Sequence, residues 1–141
     1  MKAINTVILI GGFVILFSVI ISILENSNIL FVLSKLISPI IAVFGVNSAY
    51  AGGIITGIIE LTNGVSYISL VVSKAISVNV IICSFLIGFG GISVLLQVLA
   101  ITSKSGISIK PYIIGKLLQG CIAAMYTFLI LNHSLLFNMN L

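Results

Sequence analysis

The sequence contains no Asp, no Arg and no Trp, and it has a single His. The absence of Asp excludes aspartyl catalysis, and one His cannot supply the His-Glu-x-x-His motif of a metalloprotease. Only two cysteines are present, and Cys83 and Cys121 lie in separate apolar runs without the paired spacing of a metal site. We therefore predict no metal site, no disulfide and no cofactor for this chain.

Charged residues make up only 6% of the 141 residues, whereas 60% are hydrophobic and the mean hydropathy is +1.41. In an average soluble domain about a quarter of the residues are charged. A domain this small exposes much of its surface, and so few charges cannot cover that surface with polar groups. Lipid is therefore the solvent for most of the surface, and a soluble globular domain is excluded.

The formal net charge is +4, and lysine is the only basic residue type besides the single His. The lysines are spread along the chain at Lys2, Lys35, Lys74, Lys104, Lys110 and Lys116. Most of them lie between apolar runs, where lysine anchors helices at the lipid headgroups. The predicted partner is accordingly the lipid bilayer, and we predict no nucleic-acid partner.

The chain starts with an apolar run, Thr6–Leu24, whose length matches a hydrocarbon core of about 30 Å. The polar segment after it, residues 25–28, lacks the small residues of a signal-peptide cleavage site, so we predict a retained transmembrane helix. The next run, Ile29–Phe44, is short and contains Lys35 and Pro39, which favours an interfacial or re-entrant helix. Whether that run crosses the membrane stays open.

Three further apolar runs complete the chain. Asn47–Ser73 and Val78–Thr102 are each long enough to span a membrane, but polar residues or glycines interrupt them near the middle. Pro111 begins a last span, which runs to about Leu131. The sequence therefore predicts an all-α polytopic membrane protein. It forms one integral membrane domain over residues 1–141, with four or five membrane segments, two of them broken helices.

The membrane orientation depends on the run at 29–44. If this run crosses, Lys2 shares a side with Lys104 and Lys110, and the positive-inside rule places the N-terminus in the cytoplasm. If it lies in the interface, the parity changes and the charge bias weakly favours an external N-terminus. The loop Ser103–Lys110 is predicted to be cytoplasmic in either case.

Glu60 is the only acidic residue deep in the chain, and an ionisable side chain inside an apolar span costs about 2.5 to 3.5 kcal/mol on insertion. Three interpretations are open: a ligand or cation contact inside the helix bundle, a hydrogen-bonded acid that ties two helices together, or a side chain that reaches an interface. Thr62 and Asn63 follow closely and favour the first interpretation. Gly64 lets the helix break, which frees backbone groups to bind a ligand.

The second interrupted run carries a matching set of residues. Its glycines can unwind the helix, and Ser93 and Gln97 lie four residues apart on one face of the part that follows. Transporters build solute sites at mid-membrane from such broken helices. We therefore predict solute-binding residues Glu60, Thr62, Asn63, Ser93 and Gln97, with helix breaks at Gly64, Gly88, Gly90 and Gly91.

Two other roles compete with solute binding in these segments. Gly53 and Gly57 form a small-x-x-x-small pattern, which favours close packing of helices in lipid. Ser93 and His133 could form a nucleophile and a base in principle, but His133 follows the last span, so hydrogen-bond contact is not expected. We predict no enzymatic activity and no catalytic residue.

Three ordered motifs resemble a known family. They are Gly57-Ile58-Ile59-Glu60-Leu61-Thr62-Asn63-Gly64, the run Ser84–Gln97 with Gly88-Phe89-Gly90-Gly91-Ile92-Ser93, and Lys110-Pro111-Tyr112 with Lys116. Over about residues 33–131 the chain resembles the C-terminal half of sporulation membrane proteins of the nucleoside-recognition, or Gate domain, family. An acidic broken helix followed by a Gly-Phe-x-x-x-Ser helix is also similar to one half of the concentrative nucleoside transporters.

The resemblance implies half of an inverted-repeat architecture of the nucleoside-transporter kind, with a solute site at Glu60, Asn63, Ser93 and Gln97. It implies a multi-pass protein in the cell membrane of a spore-forming bacterium that binds or transports a small solute of unknown identity. The competing function is a structural or assembly factor for the spore cortex or envelope. Because the family's proteins consist of two related halves, a homodimer or a separately encoded N-terminal half is the implied partner.

Overall fold

The computed structural model describes residues 2–72, 76–102, 106 and 108–138, and this described part is helical apart from short turns. It forms seven α-helices: α1 (Lys2–Asn26), α2 (Ile29–Val43), α3 (Ala51–Ile59), α4 (Leu61–Leu70), α5 (Ile76–Phe89), α6 (Gly91–Thr102) and α7 (Lys110–Asn138). A short 3₁₀ turn, Ser48–Tyr50, leads into α3. The predicted all-α class is confirmed.

Three segments of the described chain are long and apolar enough to cross a membrane. They are Ala3–Asn26 in α1, Ser77–Thr102 across α5 and α6, and Lys110–His133 in α7. Helix α2 has 15 residues, and its length of about 22 Å is too short for a hydrocarbon core of about 30 Å. Many large apolar side chains of α1 and α7 are exposed, which suits helices that face lipid. The predicted membrane protein is therefore confirmed.

Helices α3 and α4 form an antiparallel hairpin with Glu60 at its tip. A Cβ atom at Gly64 would lie 2.0 Å from Gly57 Cα, and one at Gly53 would lie 2.5 Å from Ile68 Cδ1. Residues that come earlier in α3 therefore contact residues that come later in α4. The expectation that this run crosses the membrane as one interrupted helix is wrong. Its small residues let the two backbones touch, so the chain folds back at the interruption.

Two of the predicted break residues lie inside helices, because their role is close packing. Gly64 is part of α4, and Gly88 is part of α5. A Cβ atom at Gly88 would lie 2.8 Å from Gly120 Cα of α7. Further along the same contact, Thr127 Oγ1 donates to Ser84 Oγ at 3.0 Å, so α5 and α7 run antiparallel. The prediction of breaks at Gly64 and Gly88 is therefore wrong, whereas glycine in α5 and α7 lets these helices approach closely.

Asn79 of α5 forms hydrogen bonds with the open end of the hairpin, where α3 begins and α4 ends. Its side-chain amide donates to the carbonyl oxygens of Ile68 and Val71, each at 3.0 Å, and its Oδ1 accepts from the Tyr50 hydroxyl. Tyr50, Ile68 and Leu86 form a buried cluster where the hairpin packs against α5. These contacts fix the base of the hairpin relative to α5.

The hairpin alters the predicted topology, because its chain enters and leaves on the same side. With α2 too short to cross, the N-terminus shares a side with the end of α6 and the start of α7. Lys2 and Lys110 then lie on one side, which the positive-inside rule places in the cytoplasm. If α2 does not cross, the hairpin restores the parity, and a cytoplasmic N-terminus is then the prediction. Half of the loop Ser103–Lys110, residues 103–105 and 107, lies outside the described residues, and the cytoplasmic location of the loop stays a prediction.

Candidate functional site at the meeting point of two helix interruptions

The Glu60 side chain organises the tip of the hairpin and is only 2% exposed. Its backbone is extended, with φ −142° and ψ 120°, so that Glu60 ends α3 and is the N-cap of α4. Oε1 accepts from the Thr62 amide at 3.0 Å and from the Thr62 hydroxyl at 2.8 Å. Oε2 accepts from the Asn63 amide at 2.8 Å and from Asn63 Nδ2 at 3.0 Å. The two backbone amides and the two side chains together make the Glu60 carboxyl group the N-cap acceptor of α4.

Asn63 connects this tip to α1. Its Nδ2 atom also donates to Ser18 Oγ at 2.9 Å. Ser18 lies about 12 Å along the axis of α1 from the last residue of that helix, Asn26. The tip therefore lies well inside the apolar part of the first span, away from either end.

The interruption between α5 and α6 lies against the same tip. Gly90 and Gly91 have positive φ angles of 89° and 78°, a conformation that glycine adopts readily and other residues rarely do. A Cβ atom at Gly91 would lie 3.1 Å from the Gly57 carbonyl oxygen and 3.2 Å from the Leu61 amide nitrogen. The two interruptions therefore touch, and glycine at position 91 makes the contact possible.

Two buried hydroxyl groups belong to residues that are near this contact in the sequence, and they have no hydrogen-bond partner among the described residues. They are Thr56 Oγ1 and Ser93 Oγ, and each residue is only 1% exposed. Thr56 is adjacent to Gly57, and Ser93 is in the first turn of α6 just after Gly91. Leaving a buried polar group unpaired costs about 1 to 3 kcal/mol, so this pair needs a physical explanation.

The structure brings part of the predicted site together by direct contact. Glu60, Thr62 and Asn63 form one hydrogen-bonded unit, although the Thr62 residue itself is exposed. Ser93 is buried beside the second interruption, and Gln97 is buried one turn further along α6. Within the described chain, no hydrogen bond links Ser93 or Gln97 to the unit at the hairpin tip. The two groups are instead joined by backbone contact at Gly91.

Sequence reasoning missed Thr56 and Ser18. Thr56 precedes Glu60 by four residues, so the helical period could have placed it on the face that leads to the tip. Ser18 carries no comparable signal, since its contact with Asn63 joins residues 45 positions apart.

Lys116 of α7 lies beside the second interruption. A Cβ atom at Gly90 would lie 3.5 Å from Lys116 Cε, and Lys116 Nζ donates to Gln119 Oε1 at 3.0 Å. The methylene chain of Lys116 thus covers the break between α5 and α6, while its ammonium group donates to the side-chain amide of Gln119. Among the described residues there is no group of three or more His, Cys, Asp or Glu that could hold a metal ion.

These features define an all-helical membrane protein in which a re-entrant hairpin and a broken helix meet at a buried polar site. The chain belongs to the Gate family, described as nucleoside recognition, which matches residues 7–106. The resemblance that the motifs predict is confirmed. The family match starts and ends earlier than residues 33–131, over which those motifs were expected to extend.

Similarity to one named protein supports the same family assignment. The chain is 34% identical over 129 residues to the sporulation integral membrane protein YlbJ of Bacillus subtilis (strain 168). The similarity covers 92% of this chain and 31% of that protein, so the chain spans about a third of the relative's length. No solved structure matches the chain significantly.

Proposed function

We propose that this chain is the solute-binding unit of a sporulation membrane transporter, with its site where the hairpin tip meets the break between α5 and α6. The observation that carries this proposal is the pair of buried, unpartnered hydroxyls of Thr56 and Ser93. Buried polar groups are nearly always hydrogen-bonded, and each exception calls for an explanation. A polar solute that reaches either hydroxyl would give it a partner.

Glu60 shapes the site in this proposal, and the hydroxyls contact the solute. Each Glu60 carboxylate oxygen already accepts two hydrogen bonds, which fix the turn and hold Asn63 in place. Hydroxyl groups both donate and accept, so they fit a solute that is rich in hydroxyl and amide groups. Nucleosides have this chemistry, and they are the first class to test because the family is described as nucleoside recognition.

The proposal includes a partner in the cell membrane of a spore-forming bacterium. The chain spans about a third of the relative's length and supplies one hairpin and one broken helix within its described residues. A second copy, or a separately encoded N-terminal half, would complete a path across the membrane. Native mass spectrometry that shows only a monomer without a co-purifying partner would contradict this part of the proposal.

A second candidate function is a structural or assembly factor for the spore cortex or envelope. One observation favours it: the Glu60 carboxylate is saturated by donors from its own hairpin, so its burial is explained by folding alone. A structural factor needs no solute. Ligand binding therefore distinguishes the two candidates.

Ser93→Ala should remove stabilisation by the solute and leave the fold intact. A ligand that binds only the folded protein stabilises it by about 2.7 kcal/mol at a concentration of 100 Kd. In lipid nanodiscs, uridine or adenosine should raise the Tm of the wild-type protein, and Ser93→Ala should reduce that rise strongly. The matched control is Ser66→Ala, which removes an exposed hydroxyl that donates to the Thr62 carbonyl oxygen within α4.

The control variant should respond to nucleosides as the wild-type protein does. An equal rise in Tm for Ser93→Ala would move the binding site elsewhere. If neither nucleoside changes the Tm of the wild-type protein, the nucleoside assignment fails and the structural function gains support.

A further inference from the structure

A cavity of about 580 Å³ lies at the open end of the hairpin, remote from its tip. Its volume is within the range of about 300 to 1,000 Å³ that is typical of small-molecule sites. The polar side chains that line it come from α1, α2, the 3₁₀ turn and α4, and they are Glu25, Ser34, Lys35, Ser38, Ser48 and Tyr67. None of these residues belongs to the site at Glu60.

The cavity lies at the membrane interface side of the fold. Glu25 is in the last turn of α1, where the first span ends. Gly52 and Tyr67 also line the cavity, and a Cβ atom at Gly52 would lie 3.1 Å from the Tyr67 hydroxyl oxygen. Gly52 is about 12 Å along α3 from Glu60. The cavity is therefore separated from the hairpin tip by about two helical turns.

The cavity presents one positive and one negative charge that do not neutralise each other. Lys35 Nζ lies 4.4 Å from the centroid of the Phe31 ring, which supports the ammonium group by a cation–π contact. Neither Lys35 nor Glu25 forms an ion pair with another described residue. Both side chains are exposed, and both line the same cavity. A ligand that carries both signs of charge would complement this arrangement.

We propose that this cavity binds the headgroup of phosphatidylethanolamine. The phosphate group lies at the Lys35 ammonium group and accepts from the cavity hydroxyls of Ser38, Ser48 and Tyr67. The primary ammonium group lies at the Glu25 carboxylate. The Ser34 hydroxyl is engaged with the Leu30 carbonyl oxygen at 2.7 Å and contributes only its lone pairs.

A membrane lipid fits this cavity better than a soluble phosphoamine, because the rim is apolar. Phe31 of α2 lines the cavity and is 57% exposed, and Ile29 of the same helix is 46% exposed. Acyl chains of a lipid would cover these side chains, and a free headgroup would leave them uncovered. The short helix α2 then lies where its charged and apolar residues can contact headgroup and chains together.

The test is lipid retention by the full chain in detergent, measured by native mass spectrometry with phosphatidylethanolamine and phosphatidylglycerol. Phosphatidylglycerol keeps the phosphate and lacks the amine. We expect the protein to prefer phosphatidylethanolamine by about tenfold, the effect of one charge-assisted hydrogen bond. Lys35→Gln should weaken the binding of both lipids, and Glu25→Gln should remove the preference between them. Lys110→Gln, which removes a lysine outside the cavity, is the matched control.

Several results would overturn the proposal. Equal retention of both lipids by the wild-type protein would exclude recognition of the amine, and normal retention by Lys35→Gln would exclude the phosphate contact. Displacement of the lipid by an equal concentration of soluble phosphoethanolamine would show that the acyl chains contribute nothing to the affinity. That result would reject a lipid as the ligand. A co-purifying protein chain that protects Lys35 from acetylation would show that the cavity is a protein interface. Unchanged Tm values of the lipid-free variants establish that each one is folded.

Discussion

Replacement of Gly64 by alanine should lower the free energy of unfolding by about 3 kcal/mol or more, because the added methyl group has no space. Its Cβ atom would lie 2.0 Å from Gly57 Cα and 2.3 Å from Gly57 N. Both atoms belong to the backbone of α3, so no side-chain rotation relieves the overlap. The hairpin must open, and the tip at Glu60 moves with it.

The matched control is Gly115→Ala, since a Cβ atom at Gly115 of α7 would meet no atom within 4 Å. Alanine is favoured over glycine inside a helix by about 1 kcal/mol, so the control should be neutral or slightly more stable. Thermal unfolding of both variants in detergent measures the difference. A Gly64→Ala protein with wild-type Tm would contradict the antiparallel packing of α3 on α4.

Glu60→Leu should be the second most damaging change, because it removes the acceptor of four hydrogen bonds. The amides of Thr62 and Asn63 and the side chains of both residues would lose their partner at the N-terminus of α4. Unpaired buried donors cost about 1 to 3 kcal/mol each, and loss of a helix cap costs about 1 kcal/mol. Water can pair with the donors of the exposed Thr62, so we expect the free energy of unfolding to fall by only about 3 kcal/mol.

Glu60→Gln has the same shape but offers one acceptor oxygen and one amide group. The side-chain amide nitrogen would replace one of the two accepting oxygens and would face its donors. The free energy of unfolding of this variant should therefore lie between those of wild type and Glu60→Leu. A Glu60→Leu protein that is as stable as wild type would show that the carboxylate does not hold the tip. Loss of function in either variant does not prove solute contact, since both variants also disturb the hairpin.

The segments that hold the helix interruptions could be predicted from the sequence, whereas the exact break residue in the first segment and the direction of the chain after it could not. Polar residues at Glu60 and glycines at Gly90 and Gly91 stand out within apolar runs, and the structure interrupts its helices at these residues. An interrupted run of apolar residues has the same composition whether the chain continues or folds back. The hairpin depends on Gly57 and Gly64 meeting across two helices, which is a property of the packed structure.

The candidate site shows the same division between local and tertiary information. The local unit of Glu60, Thr62 and Asn63 follows from neighbours in the sequence, because an N-cap acceptor binds the amides two and three residues ahead. The contacts of this unit with Ser18 and Gly91 depend on how distant helices pack. Intramembrane polar residues such as Ser93 can be recognised as candidates, but their partners come from tertiary structure.

Thr56→Val tests the central claim, that the buried hydroxyls serve a solute. Valine has nearly the shape of threonine and removes a hydroxyl that has no partner among the described residues. If that hydroxyl only adds a desolvation cost, its removal should raise the free energy of unfolding by about 1 kcal/mol. Thr56→Ser keeps the hydroxyl and serves as the control for the lost methyl group.

The decisive measurement combines Tm in lipid nanodiscs with the yield of heat-resistant spores from cells that carry Thr56→Val in place of the native gene. We predict a higher Tm and a severe loss of heat-resistant spores for Thr56→Val, with near-normal spores for Thr56→Ser. A lower Tm together with a normal spore yield would contradict the account, because the hydroxyl would then support the fold and not a solute.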